Sequence, residues 1–142
     1  MLEISSADSG EVRWCSVVRP EEEFILSFIH SVNKRPVFDT LRARGDHIVI
    51  VRSRFDAFGA GMPEATTEQG TFRVLEDGRL EWTVNRPVPE IVVRVGRVAQ
   101  HTLTFRGRDI RLAELAAPGS ALTLRIRPIS PLHRSKGRCS GE

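Results

Sequence analysis

Two short blocks of this 142-residue chain bring together side chains that can bind a ligand or move a proton. The first block is Phe28–Val32, in which an alternating apolar pattern ends on His30. Imidazole titrates near neutral pH, so His30 is a candidate base or ligand. Adjacent strand residues point to opposite faces, which prevents His30 and Ser31 from forming a nucleophile–base pair with each other. Asp39 could meet His30 across a hairpin turn and raise the pKa of its imidazole.

The second block is Phe55–Glu64, which places two glycines and a proline between apolar residues. Gly59 and Gly61 can adopt positive φ, so successive N–H groups could converge on an anion. The glycine spacing is not that of a dinucleotide-binding loop. A tight crossover with close packing is the alternative. The combined ligand-binding candidates are His30, Ser31, Asp39, Gly59, Ala60, Gly61, Met62 and Glu64.

Other groups of residues are weaker candidates for a binding or catalytic site. Arg94 with Arg97, or Arg125 with Arg127, could line an anion pocket, although arginines two residues apart in a strand more often form one exposed sheet face. The histidines lack metal-ligand spacing, so we expect no metal and no cofactor. A strand-end histidine bonded to backbone carbonyls is the structural alternative for His30. We assign no catalytic residue.

The amino-acid composition limits the kinds of partner and compartment that we expect for this protein. The 21 basic and 18 acidic residues leave a net charge of +3, and the arginines are scattered through strand-like segments, so we expect no nucleic-acid partner. Two cysteines, Cys15 and Cys139, form neither a zinc pattern nor a disulfide framework. Cys15 lies in an apolar strand-like stretch, which favours an inert buried thiol. A bridge to Cys139 would need an oxidising compartment and an ordered tail.

Alternating apolar residues and frequent turn residues predict strands along most of the chain. Segment 23–30 is apolar on both faces, which predicts a central strand, and 36–44 and 46–55 are predicted to be further strands. Segment 71–84 predicts a hairpin with the three-residue loop Glu76–Gly78, because that register pairs Phe72 with Trp82, Val74 with Leu80 and Arg73 with Glu81. A second hairpin is predicted about Arg106–Gly107, pairing Leu103 with Ile110 and His101 with Leu112.

The predicted fold is therefore all-β. We expect an antiparallel sandwich or partly open barrel of about nine to eleven short strands. One short helical turn is expected within 113–117. Residues 1–130 are predicted to form one domain, and 131–142 a disordered basic tail.

The two blocks resemble the bacterial family known as domain of unknown function 1850. The similarity covers most of residues 1–127 and rests on Phe24–Val32, Pro36, Val37, Asp39, Phe55–Pro63, His101–Leu103 and Leu103–Leu115. The resemblance implies a small extracytoplasmic protein, periplasmic or membrane-anchored. It also implies an association with TRAP-type transporters of small carboxylates, beside which such proteins are often encoded.

The resemblance and the absence of a catalytic constellation together favour a non-enzymatic accessory module. Such a module would contact the membrane or solute-binding component of a transporter, or hold a small anion at the His30 end of the molecule. A small hydrolase or lyase with His30 as base and an acidic partner is the alternative, and a purely structural module is the third hypothesis. The first strand is expected near Met1–Ile4, where a mature domain would start. We therefore expect membrane contact only through a leader absent from this sequence.

Overall fold

The structure is a computed structural model that describes residues 1–30, 34–55 and 70–128, and the backbone of Cys139–Ser140. Ser31, the segment 59–62 and Glu64 lie outside the described residues. The predicted proximity of His30 to the glycine-rich segment therefore stays a prediction.

The described strands form two sheets, which confirms the all-β prediction. The first has the order β10-β9-β3-β4-β5-β7-β6. Its strands are β3 (Glu23–Ile29), β4 (Pro36–Arg44), β5 (His47–Phe55), β6 (Thr71–Val74), β7 (Leu80–Val88), β9 (Thr102–Phe105) and β10 (Arg108–Arg111). The second has the order β12-β2-β1-β11-β8. Its strands are β1 (Leu2–Ser6), β2 (Val12–Ser16), β8 (Ile91–Arg94), β11 (Ala121–Ile126) and the two-residue β12 (Cys139–Ser140).

Strand β3 lies in the interior of the larger sheet. Because both faces of this strand are apolar, it can lie inside the sheet, and it pairs antiparallel with β4 on one side and β9 on the other. The predicted central position is confirmed. The expected helical turn is present as a 3-10 helix at Leu112–Glu114.

The main core lies between the two sheets. Phe24 and Leu26 of β3 contribute from one side, and Leu2 and Ile4 of β1 from the other. Leu2, Ile4, Leu103, Leu112, Leu122 and Leu124 are fully buried. A second apolar cluster gathers at the Phe28 end of the larger sheet, and its members are Phe28, Val37, Phe55, Phe72, Leu80 and Trp82.

Both predicted hairpin registers are confirmed. The first pairs Phe72 with Trp82, Arg73 with Glu81 and Val74 with Leu80, as the three-residue loop requires. The second pairs Leu103 with Ile110, and the Leu112 N–H donates to the His101 carbonyl at 3.0 Å. Its turn residues, Arg106 at φ 51° and Gly107 at φ 77°, have the left-handed backbone that suits a two-residue hairpin.

Cys15 corrects an expectation. It is almost fully buried, as predicted, but it is disulfide-bonded and not a free thiol. The sequence contains one other cysteine, and the parallel pairing of β12 with β2 aligns Cys139 with Cys15. The short strand β12 also places part of the predicted disordered tail within the smaller sheet.

Candidate functional site

The β3–β4 register sets the positions of the two described candidates, His30 and Asp39. Asp39 lies opposite Leu26, four residues before His30, which corresponds to about 13 Å along a strand. The His30 N–H instead donates to the Arg35 carbonyl at 2.9 Å. The side chains of His30 and Asp39, which were predicted to form a pair, therefore lie at different positions along the strands.

Asp39 has a different partner. The Ser53 hydroxyl on the neighbouring strand β5 donates to its carboxylate. Because Asp39 shares a face with Leu26, it points toward the core, and burial raises the pKa of its carboxyl above the ordinary value of 3.8. The hydrogen bond from Ser53 opposes this shift but does not cancel it.

The raised pKa of Asp39 predicts a pH-dependent stability. The unfolded carboxyl ionises near pH 3.8, before the folded one, so the free energy of unfolding falls as pH rises from there through the raised pKa, then levels off. Each unit of separation is worth about 1.4 kcal/mol. Asp39→Asn should remove this contribution and stabilise the protein at neutral pH. Urea unfolding between pH 3.5 and pH 8, compared with the native protein, measures the effect.

Ser53→Ala provides the matched control. It removes the hydrogen bond that lowers the pKa of Asp39. The free energy of unfolding should therefore fall further as pH rises from 3.8 through the raised pKa. Equal pH profiles for Asp39→Asn and the native protein would contradict the assignment of this carboxyl.

A cavity of about 690 Å³ opens beside the β9–β10 edge of the larger sheet. The polar side chains that line it are Arg97, Gln100, His101, Thr102, Asp109 and Arg111. This volume lies within the range that admits a small-molecule ligand.

The end of β3 positions the cavity wall. The Ile29 N–H donates to the Ala99 carbonyl at 2.7 Å, which holds the loop before β9 against β3. The His101 ring then stacks on Phe28, with centroids 5.2 Å apart and planes 28° from parallel. Phe28 and Ile29 of the first block therefore border a polar cavity, through their contacts with His101 and Ala99.

Burial keeps the His101 ring neutral. It lowers the pKa of His101 below the ordinary value of 6.5, and no acid among the described residues offsets this shift. Its Nδ1 is buried and has no hydrogen-bond partner in the part of the chain that the structure describes. The positive charge of the cavity consequently comes from its arginines.

Arg97 and Arg111 form no ion pair within the described ranges. By contrast, an acid lies within 4.0 Å of each of Arg13, Arg42, Arg44, Arg54, Arg73, Arg79, Arg106, Arg125 and Arg127. The one acid in the lining, Asp109, accepts a hydrogen bond from the Thr104 hydroxyl at 2.8 Å. Two guanidinium groups against one carboxylate favour an anionic occupant, and guanidinium groups match carboxylates in a bidentate geometry.

The sequence identified only part of this site. Arg97 was one member of a predicted arginine pair, but its companion Arg94 donates to the Gly119 carbonyl at 2.6 Å. The other pair, Arg125 and Arg127, is bound to Glu90 and Glu3. Neither Arg111 nor His101 lies in a local sequence pattern that indicates anion binding. Arg111 belongs to a charged edge strand, and His101 directly precedes an apolar strand.

The comparison with known families concerns the same part of the molecule. The profile for a domain of unknown function, DUF1850, matches residues 24–112, which is more than half of the chain. This chain belongs to the DUF1850 family. No curated protein and no solved structure matches the chain. The DUF1850 segment runs from β3 through β10, so it includes Arg97, His101 and Arg111, while β1, β2 and β11 of the opposing sheet lie outside it.

Within the described residues, no group of three or more histidine, cysteine or acidic side chains could hold a metal ion. No helix in those ranges has the length and apolarity needed to cross a membrane.

Proposed function

We propose that this DUF1850 domain is a non-enzymatic binding module for a small carboxylate. It acts outside the cytoplasm, in association with a TRAP-type carboxylate transporter. The observation that carries the proposal is the cavity of about 690 Å³ in which Arg97 and Arg111 lack ion-pair partners among the described residues.

The chemistry of the lining supports an anionic ligand. Charge-assisted hydrogen bonds from guanidinium to carboxylate are stronger than neutral ones, and two separate arginines can hold the two ends of a dicarboxylate. The neutral His101 and the hydroxyl of Thr102 add polar surface without further charge. A dicarboxylate is therefore the expected ligand, in preference to acetate.

The disulfide at Cys15 supports the proposed compartment. Disulfides persist in oxidising environments such as the bacterial periplasm and are rare in the cytosol. The proposed link to a TRAP-type transporter is supported by the resemblance to a family whose members are often encoded beside such transporters. The transporters in question handle small carboxylates, which agrees with the chemistry of Arg97 and Arg111.

The enzymatic alternative is less well supported. A hydrolase or lyase with His30 as base needs an acid that orients the imidazole. Asp39 is bonded to Ser53 and lies opposite Leu26, so it does not meet that need. Glu64 lies outside the described residues.

Calorimetric titration of the purified domain with malonate, succinate, phosphate and acetate tests the proposal. We expect saturable binding of a dicarboxylate, weaker binding of acetate, and loss of affinity at high salt because the contacts are ionic. Failure of all tested carboxylates to bind would refute the proposed ligand class. Capture of transporter components from membranes by the immobilised domain tests the proposed association separately.

A further inference from the structure

Among the described strands, β10 forms an open edge of the larger sheet, because its one neighbour is β9. Its residues alternate in direction: Ile110 lies opposite the core residue Leu103, and Asp109 and Arg111 lie opposite Thr104 and Thr102. The strand therefore presents a different surface on each side.

The hydrogen-bond phase of the hairpin determines which backbone groups face outward. The turn at Arg106–Gly107 pairs Phe105 with Arg108, and the Leu112 N–H bonds to the His101 carbonyl. In an antiparallel ladder alternate residues bond to the partner strand, so Arg108, Ile110 and Leu112 face β9. The N–H and C=O groups of Asp109 and Arg111 consequently point to the open edge.

A cavity lies along each side of this edge. The first is the cavity of about 690 Å³ that is lined by Arg97 and Arg111. The second has a volume of about 340 Å³, with an apolar floor formed by Trp14, Phe105 and Ile110. Trp14 and Phe105 meet edge to face at 5.7 Å. Asp109 borders both cavities.

We propose that β10 accepts an extended segment of a partner protein as an added strand. Side chains of an extended segment alternate in direction, so one would enter the Trp14–Phe105 cavity and the next would approach Arg97 and Arg111. The fitting segment alternates an aromatic or aliphatic residue with Asp or Glu. This inference rests on the proposed function, since the bound carboxylate is then a side chain of the partner.

Charge supports this choice of partner. Arg108, Asp109 and Arg111 are exposed on the edge strand, and exposed charges on an edge prevent indiscriminate pairing with other strands. Arg108 borders the apolar cavity and forms no ion pair within the described ranges, whereas Arg106 beside it is paired with Glu22. An acidic segment gains ion pairs at these positions, whereas a basic one meets like charges.

Capped six-residue peptides that alternate glutamate and phenylalanine test the inference on the unmodified domain. Titration calorimetry should show affinity at least about tenfold above that of glutarate, because edge hydrogen bonds and the apolar cavity add to the carboxylate contact. A peptide of the same composition with its glutamates and phenylalanines in separate blocks should lose that gain. A peptide N-methylated on alternate amides should lose it as well, since its side chains are intact but its edge hydrogen bonds are missing.

Two substitutions at one position test the backbone contact. Asp109→Pro removes the outward N–H group, whereas Asp109→Ala keeps it and removes a carboxylate. We expect the proline variant to lose at least about tenfold in peptide affinity relative to the alanine variant. Circular dichroism and thermal unfolding establish that both variants fold.

The outcomes separate the two proposals. If glutarate binds and the alternating peptide binds no better, or if N-methylation leaves its affinity unchanged, β10 does not accept an added strand and the small-carboxylate function stands. If neither the peptide nor any of malonate, succinate and glutarate binds, both proposals are refuted.

Discussion

Replacing Arg97 and Arg111 together by glutamine should weaken dicarboxylate binding at least about 100-fold. Each charged hydrogen-bond partner contributes roughly 1.5–3 kcal/mol, so the loss of two amounts to about 3 kcal/mol or more. Since neither arginine takes part in an ion pair within the described ranges, their replacement should leave the free energy of unfolding nearly unchanged. Titration calorimetry with malonate and urea unfolding of the same preparations measure both quantities.

Arg79→Gln with Arg86→Gln provides the matched control. It removes the same net charge near the opposite edge of the larger sheet, outside the cavity lining. Arg86 is exposed there, and Arg79 is half-buried and paired with Asp77. The control should lower malonate affinity only through the long-range field, an effect that salt screens. Equal losses in the two double variants would mean that binding depends on net charge and not on this cavity.

Cys15→Ser should lower the free energy of unfolding by about 2–5 kcal/mol. A disulfide restricts the unfolded chain, and Cys15 and Cys139 are far apart in sequence, so the loop that the bond closes is long. Cys15 also lies in the interior, with 2% of its surface exposed, so the serine hydroxyl adds a desolvation cost. Urea unfolding with and without dithiothreitol measures the change.

Reduction of the native protein breaks the disulfide but leaves the Cys15 side chain in place. Comparing the reduced native protein with the variant therefore separates the effect of the disulfide from the effect of the buried serine. Reduction should account for most of the loss, and dithiothreitol should leave the variant unaffected. Cys139→Ser should give a similar loss, because it removes the one other cysteine in the sequence. Two titratable thiols in the unreduced, urea-unfolded native protein would contradict the disulfide.

The confirmed hairpin registers show what local patterns can predict. For the first hairpin, only a three-residue loop pairs Phe72 with Trp82 and Arg73 with Glu81, so face alternation and turn length select one answer. For the second, Gly107 supplies a residue suited to positive φ at the two-residue turn. Both contacts span few residues, and the information that specifies them is contained in a single window of the chain.

The candidate pair His30 and Asp39 shows the limit of that reasoning. His30 was recognised at a strand end and Asp39 as its partner across a hairpin turn, but their relative position along the sheet depends on how β4 pairs with β3. In the observed register Asp39 pairs with Ser53, and the β4–β5 ladder has an irregularity after Thr40. No alternation of apolar residues specifies such a shift in advance.

Short-range patterning thus accounts for the all-β class, the central position of β3 and the two hairpins, because each depends on side-chain alternation within neighbouring segments. The order of strands in the sheets brought Phe28 against His101 and placed Arg97 and Arg111 around one cavity. The same order aligned Cys15 with a strand from the other end of the chain. These contacts join residues distant in sequence, and they depend on the burial of two whole sheet faces against each other, a property that no short window of residues contains.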